Sequence, residues 1–151
     1  MARALNATAD EVRLMLANET GQLWRPMKPP LKVWELKGGA LFYSFHGCHR
    51  NIRCSSVGPF DNETQAWGVF NQRHSPYQPG DTLWVREVWD FDWQTECVIY
   101  KVDGGGSYSS WRSPVTMCRG GSRIDIEIVA VAAKQVDGVW QWVFDWRRIK
   151  P

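Results

Sequence analysis

Hydrophobic and polar positions alternate most clearly over Leu83-Trp84-Val85-Arg86-Glu87-Val88-Trp89. Leu83, Val85, Glu87 and Trp89 fall on one side of an extended strand over 82–89, and Trp84, Arg86 and Val88 on the other. Pro79-Gly80-Asp81 before it has turn chemistry, because Pro presets φ, Gly accepts a positive φ and Asp bonds its own backbone. Period-2 patterning also predicts strands over 31–36, 40–45, 97–102, 124–133 and 139–149. Ile124, Ile126, Ile128 and Ala130 share one face, and Trp140, Trp142, Phe144 and Trp146 form a stripe expected in the core. Lys37-Gly38-Gly39 is a plausible hairpin turn, and Asp137-Gly138 carries the type I′ signature. The helical period occurs once. Thr8-Ala9-Asp10-Glu11 is a capping box, and Val12, Leu14, Met15 and Leu16 follow it, which predicts a helix over about 9–19.

Gly21 is placed to end that helix in the left-handed conformation. Pro26, Pro29 and Pro30 argue against regular structure and for an extended loop. Residues 46–76, rich in Asn, Ser, Gly, His and Arg, read as an irregular insertion within a single domain spanning 1–151. One helix and about six hairpin-linked strands define an α+β, mainly β protein. The economical arrangement is a small antiparallel β-barrel, which removes sheet edges, with the N-terminal helix packed across it.

Composition narrows the function classes. A net charge of +2 excludes a polyelectrolyte binder, but the twelve Arg outnumber the six Lys, and there are ten Trp. Arg suits bidentate phosphate and base-edge contacts, and Trp can stack on a base as well as fill a core. Together they favour a specific pocket over a broad charged surface. No apolar run approaches the roughly 20 residues of a membrane span, and Met1–Asn6 has no signal-peptide block, so a cytoplasmic protein without a membrane partner is expected. His46, Cys48, His49 and Cys54 crowd two His and two Cys into nine residues. Zinc spacings pair two ligands with a distant second pair, so Cys48, His49 and Cys54 read as reduced thiols and a histidine in a polar loop, with no metal or other cofactor expected.

Three segments carry a resemblance. The turn Pro79-Gly80-Asp81 running into Leu83-Trp84-Val85-Arg86-Glu87-Val88-Trp89 resembles the PUA-like/ASCH superfamily, in particular its short phage- and prophage-encoded members. Ser113–Ile124 is similar to that family's SIHMPRWASRI segment, keeping Met117, Arg119, Ser122 and Arg123. Trp142–Ile149 is similar to its terminal W-V-x-x-F-x-R-I strand. The resemblance implies a PUA-like barrel and a nucleobase-containing ligand. The segment after the helix, Asn18–Pro29, stands where the family's enzymes carry G-R-K-T-Q-T-R-R-x-x-K-P, whose Lys and Thr are the catalytic pair for hydrolysing N4-acetylcytidine. Here Thr20 occupies the Lys position and Trp24 that of an Arg, while Gln22, Arg25 and Lys28 are kept.

The resulting expectation is a phage-type ASCH-like domain that binds RNA or a modified nucleoside or nucleotide without catalysis. Its candidate binding residues are Thr20, Gln22, Trp24, Arg25, Lys28, Arg86, Glu87, Arg119 and Arg123. Trp111 and Arg112 are weaker additions, and Arg147-Arg148 reads as a solvated basic end. Two other readings stand beside it. One is an N4-acetylcytidine-type amidohydrolase with a rearranged site, in which Glu87 is the candidate acid. The other is a phage accessory or anti-defence protein that binds a host protein. Strict alternation already places Arg86 and Glu87 on opposite faces.

Overall fold

The computed structural model describes residues 2–27, 31–35, 41–45, 57–60, 75–104 and 110–149. Ten strands and one α-helix are seen among them: β1 (Arg3–Asn6), α1 (Ala9–Ala17), β2 (Thr20–Pro26), β3 (Leu31–Glu35), β4 (Leu41–Phe45), β5 (Val57–Phe60), β6 (Thr82–Arg86), β7 (Trp89–Asp92), β8 (Cys97–Tyr100), β9 (Asp125–Val136) and β10 (Val139–Arg148). The mainly β class with a single helix is therefore the observed one. The chain groups into two compact units. The first comprises Met1–Gln22, Pro79–Val129 and Asp145–Pro151, and the second Leu23–Gln78 and Ala130–Phe144.

Five strands form one sheet in the order β1-β6-β9-β10-β2. Among the described residues β1 and β2 are its edges, so the sheet is open and is not closed into the expected barrel. Both edges suit that position. β1 is only four residues long, and β2 ends in Pro26, which has no N–H to donate to a further strand. β1 runs parallel to β6, with Leu5 opposite Val85. β9 runs antiparallel to β6, with Leu83 opposite Ile126 and Trp84 opposite Asp125. One face thus collects Leu5, Leu83, Val85 and Ile126, all buried, and the other presents Trp84, Arg86 and Asp125. β3, β4 and β5 form a separate antiparallel sheet, and β7 and β8 a two-stranded hairpin.

Local chemistry explains several boundaries. The capping box of α1 is complete: Glu11 N–H donates to Thr8 Oγ1 and Thr8 N–H to Glu11 Oε2. The helix buries Val12 and Met15 and leaves Leu14 exposed. It ends at Asn18 in an extended conformation, and Gly21 lies inside β2. The glycine there reflects close approach rather than a helix cap, since a Cβ would lie 2.6 Å from Trp146 Cζ2. No basic residue stands in the last turn of α1. Arg148 of β10 supplies the charge instead, donating to Met15 O and Leu16 O at 3.1 and 2.9 Å. Arg147 pairs with Glu127 at 2.7 Å. The basic end of the chain is therefore built into the fold rather than merely solvated.

Asp137 and Gly138 both have positive φ, 49° and 77°, as a type I′ turn requires. Of the expected core stripe, Trp142, Phe144 and Trp146 are buried, and Trp140 is only half-buried. The expected strand over 82–89 divides at Glu87-Val88, with β6 ending at Arg86 and β7 starting at Trp89. The expected strand over 97–102 stops at Tyr100, and a single 3-10 turn, Lys101–Asp103, follows. No described helix is long and apolar enough to cross a membrane.

Candidate functional site

The break between β6 and β7 sets a buried charge. Glu87 continues the inward face of Leu83 and Val85 and is only 2% exposed. A carboxylate there must be paired and hydrogen-bonded. Arg123 meets that need in a bidentate contact: Nε donates to Oε1 at 2.9 Å and an Nη to Oε2 at 3.0 Å. The same guanidinium donates twice more, to Asp103 at 2.8 and 3.0 Å, and lies 4.0 Å from the Tyr100 ring centre. Partial burial works against the Arg123 charge, but the bonds to Glu87 and Asp103 outweigh it, so the group is held more firmly protonated than an ordinary arginine. Burial raises the Tyr100 phenol above its usual value, Arg123 pulls it down, and Glu87 and Asp103 push it up. Its hydroxyl donates to Gly121 O at 2.7 Å.

Of this network, Glu87 lines a cavity of about 200 Å³ beneath α1. Ala7, Ala9, Val12 and Val88 make it largely apolar, Glu87 adds a buried carboxylate, and the cations Arg13 and Lys101 stand at its rim. Drug-sized ligands fill roughly 300–1,000 Å³, so this cavity suits a single small ring. Because each oxygen of Glu87 already accepts from Arg123, the carboxylate is a fixed acceptor with lone pairs to spare.

A second group lies on the opposite face of β6. The Arg86 guanidinium rests 4.9 Å from the Trp84 ring centre and donates to Val115 O at 3.0 Å, and its buried Nε has no hydrogen-bond partner among the described residues. Arg119 also lies over Trp84, at 5.9 Å, and pairs with Asp125 at 2.6 Å. A third group sits on the β7–β8 hairpin. Arg112 stacks 5.1 Å from the Trp89 ring centre and bonds Asp90 at 3.1 Å, while Trp89 Nε1 donates to Thr116 Oγ1 at 3.2 Å.

The sequence-predicted residues do not share one pocket. Glu87 lines the cavity, and Arg123 behind it is outside the lining, consumed by carboxylates and unsuited to a phosphate. Arg86 and Arg119 share Trp84 on the other face. Thr20 and Gln22 line a shallow depression of about 350 Å³ with Gly21, Val129, Asp145 and Trp146, and Gln22 donates to Asp145 at 2.8 Å. In the second unit, Trp24 lies 5.7 Å from Lys134 Nζ, and Arg25 donates to Trp24 O. Lys28, Cys48, His49 and Cys54 fall outside the described residues. Among the described residues no cluster of His, Cys, Asp and Glu could hold a metal ion.

Sequence reasoning missed Lys101, Arg13, Asp103 and Asp90. Nothing local marks them, since Asp103 is 20 residues and Glu87 36 residues from Arg123. Trp84 was legible as the same-face neighbour of Arg86. No protein-family model, curated protein or solved structure matches the chain.

Proposed function

We propose that this protein binds a nucleobase-containing ligand, RNA or a modified nucleoside or nucleotide, without catalysing its reaction, as a PUA-like/ASCH-like module. The carrying observation is the Glu87 cavity. It has apolar walls for a ring, a fixed carboxylate to accept an exocyclic amine, and two cations at the rim for a phosphate. The buried inward face of Leu83, Val85 and Glu87 is consistent with the strand that carries the family resemblance. An amidohydrolase needs an acid or base able to exchange a proton at the substrate. Glu87 is fixed by Arg123, and Thr20 stands where the family's enzymes carry lysine, so binding is favoured over hydrolysis.

Calorimetric titration with the four nucleoside monophosphates and N4-acetylcytidine tests this. At least one should bind, and Lys101→Glu should weaken it roughly tenfold, since it turns an exposed attraction into a repulsion. Turnover of N4-acetylcytidine that Glu87→Gln abolishes would instead establish the hydrolase.

A further inference from the structure

The tip of the β7–β8 hairpin carries a separate open pocket of about 340 Å³, which the Glu87 cavity does not use. Trp93, which lines it, is 77% exposed. A single exposed indole is not unusual on a protein surface, but this one is supported. Phe91 packs edge-on against it, with ring centres 4.7 Å apart at 71°. The turn beneath it is tied by Asp92, which accepts from Gln94 N at 2.9 Å and Thr95 Oγ1 at 2.8 Å. Those same bonds hold the Asp92 carboxyl below its usual value, so it stays anionic at neutral pH.

Polar groups converge beside the ring. Arg112 bonds Asp90 through Nε alone, and Ser110 bonds the other Asp90 oxygen at 3.3 Å. Among the described residues no protein acceptor takes the terminal Arg112 N–H groups, and the side chain is 46% exposed. Asp92 keeps lone pairs on the other side of the pocket. A stacking face, a guanidinium and a carboxylate acceptor therefore stand together. A base with an exocyclic amine and its phosphate require these three elements.

We propose that this pocket is a second nucleobase subsite, with a base stacked on Trp93, its exocyclic amine on Asp92 and a phosphate on Arg112, so that the ligand is single-stranded nucleic acid rather than a mononucleotide. The proposal rests on the nucleobase reading of the Glu87 cavity. Val88 lines that cavity and Trp93 this one, five residues apart along an extended hairpin, or about 16 Å at about 3.3 Å per residue. One base cannot both stack on Trp93 and fill the Glu87 cavity. The Asp92 carboxylate makes adenine and cytosine, which carry amines, better occupants than uracil.

Fluorescence anisotropy with RNA and DNA hexamers of A, C and U or T, competed with AMP and CMP, tests the proposal. A and C hexamers should bind more tightly than the monophosphates and than the U or T hexamers. Trp93→Ala should weaken the A and C hexamers about tenfold, while Asp92→Asn should level their base preference. A thermal melt of each variant verifies folding. The subsite is overturned if Trp93→Ala binds hexamers like the wild type, or if hexamers bind no better than monophosphates that do bind. In both outcomes the Glu87 reading stands. Failure of the wild type to bind any of these probes overturns both. Equal RNA and DNA affinity assigns recognition to base and phosphate, and an RNA preference adds the 2′-hydroxyl.

Discussion

Arg123 and Arg112 begin from the same construction and end with different capacities. Each guanidinium lies on an aromatic ring, Tyr100 at 4.0 Å and Trp89 at 5.1 Å, and each neutralises a buried acid, Glu87 or Asp90. The difference is a second carboxylate. Arg123 also holds Asp103, so four of its hydrogen bonds end on protein oxygens. Arg112 spends a single Nε–H on Asp90 and keeps its outer edge turned to solvent. An arginine in a familiar sequence motif is therefore not a ligand contact until its donors are counted. Arg123, which the family resemblance singles out, spends its donors on Glu87 and Asp103, and Arg112, which it does not, spends only its Nε–H on Asp90.

The largest expected effect separates these roles by stability. Arg123→Met leaves Glu87 buried without its counter-charge, and losing one partner of a buried pair costs about 3–5 kcal/mol. Because Arg123 keeps 26% exposure, water can relieve part of that, and about 3 kcal/mol is expected. Urea unfolding measures it. The comparison breaks if Arg123→Met is as stable as the wild type, for then Glu87 has another source of support.

Arg112→Met should cost less, about 1 kcal/mol, because half of its side chain is in water and the surviving Asp90 still accepts from Phe91 N–H at 2.8 Å. Its larger consequence should be in binding, with a clear loss of hexamer affinity and a shallower salt dependence if a phosphate contact goes with it. Equal stability losses in the two variants would erase the distinction between them.

How much of this was legible in the sequence divides along the range of the interactions. The capping box Thr8–Glu11, the Asp137-Gly138 turn and the alternation of β6 are local, and each predicted its element. The split of Arg86 and Glu87 onto opposite faces followed from the same alternation. β1 was not legible, because four residues form a strand only by pairing in parallel with β6, some eighty positions along the chain. β2 was hidden by Gly21 and Pro26, which signal loops locally but are tolerated on an edge strand. Val57-Gly58-Pro59-Phe60, β5, lies in the segment read as irregular for its Asn, Ser, Gly, His and Arg content, and among the described residues it too is an edge. The site was less legible than the fold. Which carboxylate an arginine meets depends on long-range packing, and Arg123 could be named as a site residue while its two partners could not.

The smallest expected effect concerns Tyr100, the ring beneath Arg123, and it comes from pH. The phenol titrates above its ordinary value of 10.0 in the folded protein. Its contribution to stability is therefore complete below about pH 10 and is lost as pH rises through the raised value, because the unfolded chain gives up the proton first. Ionisation would also remove the hydroxyl's bond to Gly121 O and place a third negative charge beside Glu87 and Asp103. Urea unfolding at about pH 8 and about pH 11 should show the wild type losing more stability than Tyr100→Phe. The Phe variant starts about 1 kcal/mol lower for want of that hydrogen bond. Identical alkaline losses would mean that Tyr100 is not tied to the Glu87–Arg123 pair, and the contrast with the Trp89–Arg112 stack would then rest on carboxylates alone.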